Sequence, residues 1–185
     1  MRIISGFKKG KKLLLPDSNI TRPLKDNVKE NIFNILLHTN GLKINFKNIK
    51  VIDFFSGSGS FGIECLSRGA QNVIFIENNA KIQNTLFRNL SNSFNKEKYE
   101  ILKEDFFRID KFNLVKKIKP EILFFDPPYN IENFDMIYSF INSLNKIYKK
   151  LIIVHIHKSK FLFFKNYKYN VEKIYGTSKI IFLKS

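Results

Sequence analysis

From residue 49 onward, the sequence alternates short apolar runs with longer amphipathic stretches, and this alternation constrains the fold more than any other feature. Each run is rich in Ile, Val, Leu or Phe and has the length of a strand buried on both faces. Such strands alternating with amphipathic helices are typical of a parallel sheet covered by helices. The predicted strands are Lys50–Phe55, Asn72–Glu77, Tyr99–Glu104, Glu121–Phe125 and Leu151–Ile156, and the predicted helices are Phe61–Arg68, Ala80–Phe94, Arg108–Ile118 and Glu132–Ile147.

The C-terminal region departs from this alternation. Residues Tyr169–Tyr175 and Lys179–Leu183 flank Gly176-Thr177-Ser178, and this spacing predicts an antiparallel hairpin that completes the sheet. The predicted fold class is therefore α/β, a Rossmann-like, doubly wound, mostly parallel seven-stranded sheet with a C-terminal antiparallel hairpin.

The N-terminal region also stands outside the alternating core. Arg2–Ser5 and Lys11–Leu15 are predicted as short strands, and apolar residues at helical spacing predict a helix over Lys25–His38. Residues 1–48 are predicted to form a small basic extension, and residues 49–185 the main domain.

Charge is distributed unevenly along the chain, which has a net charge of +16. Residues 1–50 hold 11 Lys or Arg and 3 Asp or Glu, residues 51–135 hold 11 and 12, and residues 136–185 hold 10 and 1. A near-neutral middle between two basic ends predicts a catalytic core flanked by surfaces that contact a polyanion. Lys outnumbers Arg 27 to 5, so compositional bias remains an alternative source of the Lys excess.

Other bulk features exclude several classes of protein. Cys65 is the single cysteine, which excludes an internal disulfide and a zinc cluster built on thiolates. The chain contains no apolar run of 18 residues and no apolar segment near Met1 of the kind found in secretory signals. A cytoplasmic protein is expected.

The first predicted strand runs directly into a glycine-rich loop, Ser56-Gly57-Ser58-Gly59-Ser60-Phe61-Gly62. Glycines at a strand-to-helix turn allow the backbone to approach a ligand closely, next to the N-terminus of the following helix. The spacing matches G-x-G-x-x-G, so a dinucleotide site is one possibility. The loop lacks the Lys-Ser/Thr pair of a phosphate-binding P-loop.

Acidic residues within or just after three successive predicted strands favour S-adenosylmethionine as the ligand. Asp53 can reach the glycine loop and help hold a cationic methionine moiety, while Glu77 suits two ribose hydroxyls. Asp105 can accept a hydrogen bond from an adenine amine, and Phe106 can pack on the ring. The alternatives are that Asp105 caps a helix and that Glu77 is a solvated strand end. The predicted cofactor contacts are Asp53, Phe54, Ser56, Gly57, Ser58, Gly59, Glu77, Asn78, Asp105 and Phe106.

The fourth predicted strand leads into Asp126-Pro127-Pro128-Tyr129. Two consecutive prolines supply no N–H donors and hold the chain extended, which leaves the carbonyls of Asp126 and Pro127 available to a cleft. A carboxylate and a carbonyl that accept both N–H bonds of a base amine can draw its nitrogen toward tetrahedral geometry for methylation. Tyr129 offers a flat face for the base. These four residues are the predicted catalytic residues.

The position of this tetrapeptide supports a catalytic role over the alternative of a simple turn. In a doubly wound sheet, the strands that precede the glycine loop and the tetrapeptide flank the point where ligands bind. A dehydrogenase has no role for Asp126-Pro127-Pro128-Tyr129, which favours a methyltransferase over a dinucleotide enzyme.

Over nearly its whole length the chain resembles the RsmD-type methyltransferases, which modify a guanine N2 in small-subunit (16S) ribosomal RNA. The narrower part of the resemblance lies near the N-terminus, and the glycine loop and tetrapeptide are shared more widely. The matching stretches are Met1–Gly6, Lys9–Leu13, Arg22-Pro23 with Asp26, Val28, Lys29, Glu30 and Phe33, then Asp53–Leu66, Ser67–Ala70, Asp126–Tyr129 and Tyr175-Gly176.

The resemblance implies an S-adenosylmethionine-dependent enzyme whose Asp126–Tyr129 segment holds the guanine and whose basic N-terminal segment binds RNA. Its expected partner is ribosomal RNA or an assembling small ribosomal subunit, and a monomer is expected. The predicted nucleic-acid contacts are Arg2, Lys8, Lys9, Lys11, Lys12, Arg22 and Lys25.

Two positions depart from the family pattern. Asn79 stands where relatives usually carry an Asp two residues after the acid of the second strand. The fifth strand carries His155 and His157 on one face where relatives often carry an acid. With no third ligand evident in the sequence, no metal site is predicted.

Two alternative functions remain open at this stage. The same tetrapeptide serves adenine, so an adenine-N6 methyltransferase acting on DNA or RNA is the nearest rival. A non-catalytic RNA-binding assembly factor that retains a cofactor fold is a rival from another class.

Overall fold

The computed structural model describes residues 1–16, 23–148, 150–165, 167 and 169–184, and within them one seven-stranded sheet organises the chain. The strands are β1 (Lys50–Phe54), β2 (Asn72–Ile76), β3 (Tyr99–Leu102), β4 (Ile122–Phe125), β5 (Leu151–His157), β6 (Val171–Tyr175) and β7 (Ser178–Lys184). The helices are α1 (Asp26–His38), α2 (Ser60–Ser67), α3 (Ala80–Ser91), α4 (Lys111–Ile118) and α5 (Phe134–Ile147), with 3-10 helices at Lys96–Lys98 and Lys158–Phe164.

The sheet order β3-β2-β1-β4-β5-β7-β6 confirms the predicted doubly wound fold. The first five strands are parallel, and β7 pairs antiparallel with both β5 and β6. Strand β1 pairs with β2 on one side and with β4 on the other. From β1 the strands are therefore added first toward one edge of the sheet, as β2 and β3, and then toward the other edge, beginning with β4. The loops that follow β1 and β4 therefore face one crevice.

Two apolar layers cover the two faces of the sheet. On one face, α1, α2 and α3 pack with the N-terminal segment in a cluster that includes Ile3, Leu36, Phe61 and Phe124. On the other, α4, α5 and the 3-10 helix Lys158–Phe164 pack around Phe125. Successive side chains along each strand point alternately into the two layers, as expected for a sheet buried on both sides.

The N-terminal segment differs from its prediction. Arg2–Ser5 and Lys11–Leu15 do not form regular strands. They are joined as a loose hairpin by one isolated bridge between Arg2 and Lys12 and by backbone hydrogen bonds, including those from Ile3 to Lys11 and from Leu13 to Met1. The carboxylate of Glu64 on α2 accepts the backbone N–H groups of Ile4 and Ser5 at 2.7 and 2.9 Å. These donors are therefore bonded to a side chain on the core, which replaces a partner strand.

Element bounds differ from the predictions by one to three residues. The largest differences are at the ends of helices, where α3 ends at Ser91 and α4 begins at Lys111. Asp105 accepts the N–H of Phe107 in a turn that occupies the first residues of the predicted helix, and Asp110 caps α4 by accepting the N–H of Asn113. No helix within the described residues is long and apolar enough to cross a membrane.

Candidate active site

A cavity of about 1240 Å³ opens at the edge of the sheet where β1 and β4 end. It is large enough for a nucleoside cofactor together with a base. All four residues of the Asp126–Tyr129 tetrapeptide line it. Of the predicted cofactor contacts, Asp53, Ser56, Gly57, Ser58, Glu77, Asn78 and Phe106 line the cavity.

The glycine loop brings backbone to the cavity wall. Gly57 has a φ of +55°, and no atom lies within 4 Å of the position that a Cβ would take, so its backbone is open to a ligand. Gly59 does not line the cavity: it has a φ of +84° and precedes α2, and a Cβ there would lie 2.5 Å from Leu86 Cδ1. Gly57 thus allows a ligand to approach the backbone, whereas Gly59 allows α2 and α3 to pack closely.

Glu77 joins the glycine loop to the end of β2. Its Oε2 accepts the N–H of Gly57 at 2.9 Å, and its Oε1 accepts the N–H of Asn79 at 2.9 Å. Burial raises the pKa of the Glu77 carboxyl above its usual range, and these hydrogen bonds oppose the rise. Each carboxylate oxygen retains a second lone pair for a ligand hydroxyl. Asn79, the departure from the family pattern, caps α3 by accepting from Lys81 and Ile82.

Asp53 lies beneath the glycine loop with 1% of its surface exposed. Its Oδ2 accepts the N–H of Gly62 at 3.0 Å. Burial raises the pKa of Asp53 well above its usual range, and the nearby carboxylates of Asp126 and Glu77 raise it further. Four acidic residues line the cavity, Asp53, Glu77, Glu104 and Asp126, and Lys25 is the single Lys or Arg among the described residues that line it. This set of donors and charges fits a cationic, hydroxyl-bearing ligand.

The aromatic wall of the cavity is formed by Phe55 and Phe106, whose ring centroids are 4.9 Å apart. Phe54 was predicted as a cofactor contact, but its side chain is fully buried and stacks on Phe125 at 4.6 Å, away from the cavity. Phe55 has a φ of +60°, so the strand alternation stops there and this ring lines the cavity instead. Sequence reasoning missed Phe55 because the alternation gives no sign of a left-handed residue.

Asp105 is also absent from the cavity lining. Its Oδ1 accepts the N–H of Phe107 at 2.9 Å, and its carbonyl accepts those of Arg108 and Ile109. Asp105 therefore closes a turn ahead of α4, and the helix itself is capped by Asp110 and not by Asp105 as the alternative expected. The neighbouring Glu104 lines the cavity.

Asp126 lies opposite the glycine loop, held by the end of β4. Its backbone N–H points to the carbonyl of Phe54 at 3.4 Å, and the two prolines after it have no N–H groups. Its side chain is 21% exposed and lines the cavity with Tyr129. The tetrapeptide thus offers the cavity a carboxylate and an aromatic ring.

His155 is the residue that sequence reasoning did not assign. Its Nδ1 lies 2.9 Å from Asp126 Oδ1, and it lines the same cavity. Its Nε2 is buried and has no hydrogen-bond partner within the described part of the chain. A carboxylate oxygen only accepts, so the hydrogen bond assigns the hydrogen to Nδ1, which donates it.

The sheet register explains how these two residues meet. Phe125 pairs with Val154 in the parallel ladder of β4 and β5, so the residues that follow each of them are neighbours. The sequence did contain a signal for this pair. Asp126 and His155 each directly follow an apolar run of four residues, Ile122–Phe125 and Leu151–Val154. His157, in contrast, lies with its Nδ1 2.7 Å from Ser159 Oγ and its ring 5.0 Å from Tyr129.

The predicted nucleic-acid contacts lie mainly on the N-terminal segment. Arg2, Lys9, Lys12 and Lys25 are exposed, and Lys25 also lines the cavity. Lys8 and Lys11 are half-buried, and Lys11 Nζ donates to the carbonyl of Asn92. Arg22 lies outside the described residues.

Comparison with known proteins now assigns the family. Residues 1–184 match the profile of the family described as "Conserved hypothetical protein 95". The chain belongs to this family. The prediction of an RsmD-type S-adenosylmethionine-dependent methyltransferase is thereby confirmed, and S-adenosylmethionine is its cofactor.

Individual relatives of this RsmD-type chain carry methyltransferase names, and one solved structure among them has the same fold. The chain is 31% identical over 157 residues to the "Putative rRNA methyltransferase YlbH" of Bacillus subtilis, covering 85% of this chain and 82% of that protein. It is 34% identical over 134 residues to the "Ribosomal RNA small subunit methyltransferase D" of Escherichia coli K12, covering 70% and 60%. The structure of the "Putative methyltransferase yhhF" of Escherichia coli matches with a TM-score of 0.74 and 25% identity, covering 100% and 97%.

Proposed function

We propose that this RsmD-type chain transfers a methyl group from S-adenosylmethionine to the exocyclic N2 amine of a guanine in small-subunit ribosomal RNA. The rRNA substrate is supported by relatives named as rRNA methyltransferases. The choice of guanine N2 is supported by the resemblance of the N-terminal residues to that family. The observation that carries the reaction type is the Asp126 carboxylate, which shares one cavity with the glycine loop.

The residues assigned to hold the cofactor are those whose chemistry matches it. The Gly57 backbone admits close approach, Glu77 has lone pairs for the ribose hydroxyls, and Asp53 offers negative charge to the cationic methionine moiety. Phe55 and Phe106 form an aromatic wall for the adenine. When bound, S-adenosylmethionine supplies a methyl group on a positively charged sulfur.

Asp126 acts on the substrate amine, whose lone pair is delocalised into the base. Its carboxylate accepts an amine N–H, and a backbone carbonyl of the Asp126-Pro127 segment accepts the other, which localises the lone pair on nitrogen. Bound S-adenosylmethionine would supply the methyl group for the new C–N bond, with its sulfur as the leaving group. The extra proton on the nitrogen then leaves toward an acceptor such as the Asp126 carboxylate.

His155 positions this carboxylate. Its Nδ1–H donates to Asp126 Oδ1 at 2.9 Å, which leaves the second carboxylate oxygen for the substrate. Because His155 has only 9% of its side chain exposed, the imidazole is held firmly by its surroundings. A fixed carboxylate needs less reorganisation during the reaction.

The basic N-terminal segment is proposed to bind the RNA. In this assignment residues 1–48 are the RNA-contacting extension and residues 49–185 the methyltransferase domain, acting as a monomer. A guanine stacked in a helix is out of reach of Asp126, so the target base is unpaired or flipped out of its stack.

The first test replaces the central carboxylate. Asp126→Ala is expected to lower methyl transfer at least about a hundredfold, because the amine loses its acceptor, while cofactor affinity changes little. The measurement is transfer of labelled methyl groups from S-adenosylmethionine to under-methylated small subunits and to free rRNA, with cofactor binding followed by calorimetry. Asp135→Ala, which removes an exposed acid on α5, is the control. An Asp126→Ala variant with wild-type transfer would disprove the mechanism.

Nucleoside analysis of the product separates the alternatives. N2-methylguanosine is the expected product. Label in N6-methyladenine, in DNA or RNA, would assign the chain to the adenine rival. Tight rRNA binding without transfer to any substrate would favour the non-catalytic assembly factor.

A further inference from the structure

The 3-10 helix Lys158–Phe164 lies beside the catalytic tetrapeptide. It follows β5 at the edge of the sheet where Asp126 follows β4, since the two strands are parallel neighbours. The Tyr129 ring is 5.0 Å from His157, the residue directly before this helix. Lys158 donates its N–H to the carbonyl of Thr177, which lines the cavity. The helix is therefore part of the rim around the site.

This helix exposes apolar side chains that its own packing does not require. Phe164 is fully buried and anchors the helix on the core, whereas Leu162 is 76% exposed and Phe163 is 38% exposed. Phe163 also rests on the rings of Phe134 and Tyr138 at 5.1 and 5.6 Å, which fixes its orientation. A seven-residue 3-10 helix is unusually long. Apolar groups held outward on such a helix indicate a contact surface.

The charge of this surface selects the class of partner. Residues 151–165 contain three lysines and no Asp or Glu. Lys158 is exposed, and Lys160 Nζ lies 5.5 Å from the Phe134 ring centroid. Aromatic and apolar side chains interleaved with cations match the stacking and phosphate contacts of a single-stranded nucleic acid.

The location of this surface relative to the N-terminal lysines adds a geometric reason. The N-terminal segment packs on one face of the sheet, with Ile3 and Leu13 in its core cluster. Phe164 belongs to the cluster on the opposite face. The edge where the cavity opens joins these two faces, so a strand of RNA that crosses it can contact both.

We infer that Lys158, Lys160, Leu162 and Phe163 form a second RNA-binding surface, the 3-10 rim, which holds nucleotides adjacent to the target base. Phe163 and Leu162 stack on or pack against the bases, and the two lysines neutralise phosphates. This inference rests on the proposed function, because it requires RNA as the substrate. It assigns a role to the basic C-terminal region that the N-terminal contacts leave unexplained.

Two pairs of variants test the rim. Leu162→Ala/Phe163→Ala is compared with Phe87→Ala/Ile147→Ala, which removes side chains of similar size that are 55% and 70% exposed on other helices. Lys158→Gln/Lys160→Gln is compared with Lys116→Gln/Lys117→Gln, which removes two charges from the last turn of α4. Each protein is measured for its affinity for a single-stranded rRNA fragment carrying the target base, KM and kcat of methyl transfer, and cofactor affinity.

The rim variants are expected to bind the RNA at least about fivefold more weakly and to raise KM, since one stacked base alone accounts for that factor. Their kcat and cofactor affinity stay near wild type, because the rim residues do not line the cavity that holds Asp126 and the proposed cofactor contacts. The lysine variant also lowers the slope of log affinity against log salt by about 1.4, or 0.7 per single-strand phosphate.

Rim variants whose RNA affinity and KM equal those of their controls would overturn the rim while leaving the proposed function intact. A wild-type protein that methylates no rRNA would instead overturn the proposed function. Should the apolar double variant fail to fold in a thermal melt, the lysine pair decides the question, because Lys158 is at the surface.

Discussion

At the scale of single residues, the Asp126–His155 pair couples two strands within the proposed site. The two residues are 29 positions apart, and their contact depends on the register of β4 and β5. Asp126 was predictable because a polar residue directly after a buried strand stands out in the sequence. His155 also follows an apolar run, but its role could not be predicted, since it depends on a neighbour that only the sheet order supplies.

Two amide substitutions, His155→Asn and His155→Gln, test whether Nδ1 of His155 is the atom that donates to Asp126. His155→Asn places its amide nitrogen two bonds from Cβ, as Nδ1 is, whereas His155→Gln places it near the position of Nε2. We expect His155→Asn to retain kcat within about threefold and His155→Gln to lose about tenfold or more, because only the first keeps a donor for Asp126 Oδ1. Steady-state kinetics give kcat and KM for both.

A purely structural role for His155 would give a different pattern. In that case both amides would shift the thermal midpoint together and leave the ratio of their kcat values near one. Equal kcat in His155→Asn and His155→Gln would therefore contradict the positioning role.

At the scale of secondary structure, periodicity located the five parallel strands and the hairpin, because buried strands leave strongly apolar runs. It failed for Arg2–Ser5 and Lys11–Leu15, whose alternation resembles that of strands. What holds Ile4 and Ser5 is Glu64, a residue about 60 positions away whose side chain replaces a strand partner. No local pattern contains this information.

Glu64 is therefore expected to anchor the N-terminal segment. It is fully buried and also accepts from Arg68 Nε at 2.9 Å, so Glu64→Ala leaves two backbone donors and one cation without their acceptor. The free energy of unfolding should fall by about 2–4 kcal/mol. Urea titration measures this loss, and amide hydrogen exchange at Ile4 and Ser5 should accelerate.

Glu30→Ala, at an exposed position of α1, is the control for this experiment. It is expected to change the free energy of unfolding by less than about 0.5 kcal/mol. If Glu64→Ala were equally neutral, the N-terminal segment would have to be held by its apolar contacts and by its other hydrogen bonds, such as those to Ser67 and Asn89.

At the scale of the whole molecule, charge is segregated between the ends of the chain and its middle. The cavity is lined by Asp53, Glu77, Glu104 and Asp126, whereas exposed lysines lie on the N-terminal segment and the exposed Lys158 lies on the 3-10 rim. The arrangement suits a cationic cofactor inside and a polyanionic substrate outside. Net charge was readable from the sequence, whereas its placement around one cavity required the fold.

The outer charges should produce salt-dependent RNA binding. Replacing the exposed Lys9 and Lys12 by Gln removes two predicted phosphate contacts, so with a single-stranded rRNA fragment the slope of log affinity against log salt should fall by about 0.7 for each. Filter binding over a range of salt concentrations measures the slope, with Lys116→Gln/Lys117→Gln as the control. A slope unchanged from wild type would mean that these N-terminal lysines reflect composition only.

The acidic residues of the cavity should make the free energy of unfolding depend on pH, chiefly through Asp53. Burial and the neighbouring carboxylates raise the pKa of Asp53 in the folded protein, so its neutral form is favoured there. This contribution to stability is fully present below the unfolded pKa of about 3.9 and is lost as the pH rises through the raised folded pKa. Asp53→Asn stays neutral and keeps an oxygen to accept the Gly62 N–H.

Without cofactor, the Asp53→Asn variant should therefore be more stable than wild type at neutral pH, with a difference that shrinks toward pH 4. It should also bind S-adenosylmethionine about tenfold or more weakly, since the cationic moiety loses its buried counter-charge. Urea titrations between pH 4 and 8 and calorimetry with the cofactor test both effects, and Asp135→Asn serves as the exposed control. A variant less stable than wild type at neutral pH would contradict the proposed pH dependence, and one with unchanged cofactor affinity would remove Asp53 from the proposed cofactor site.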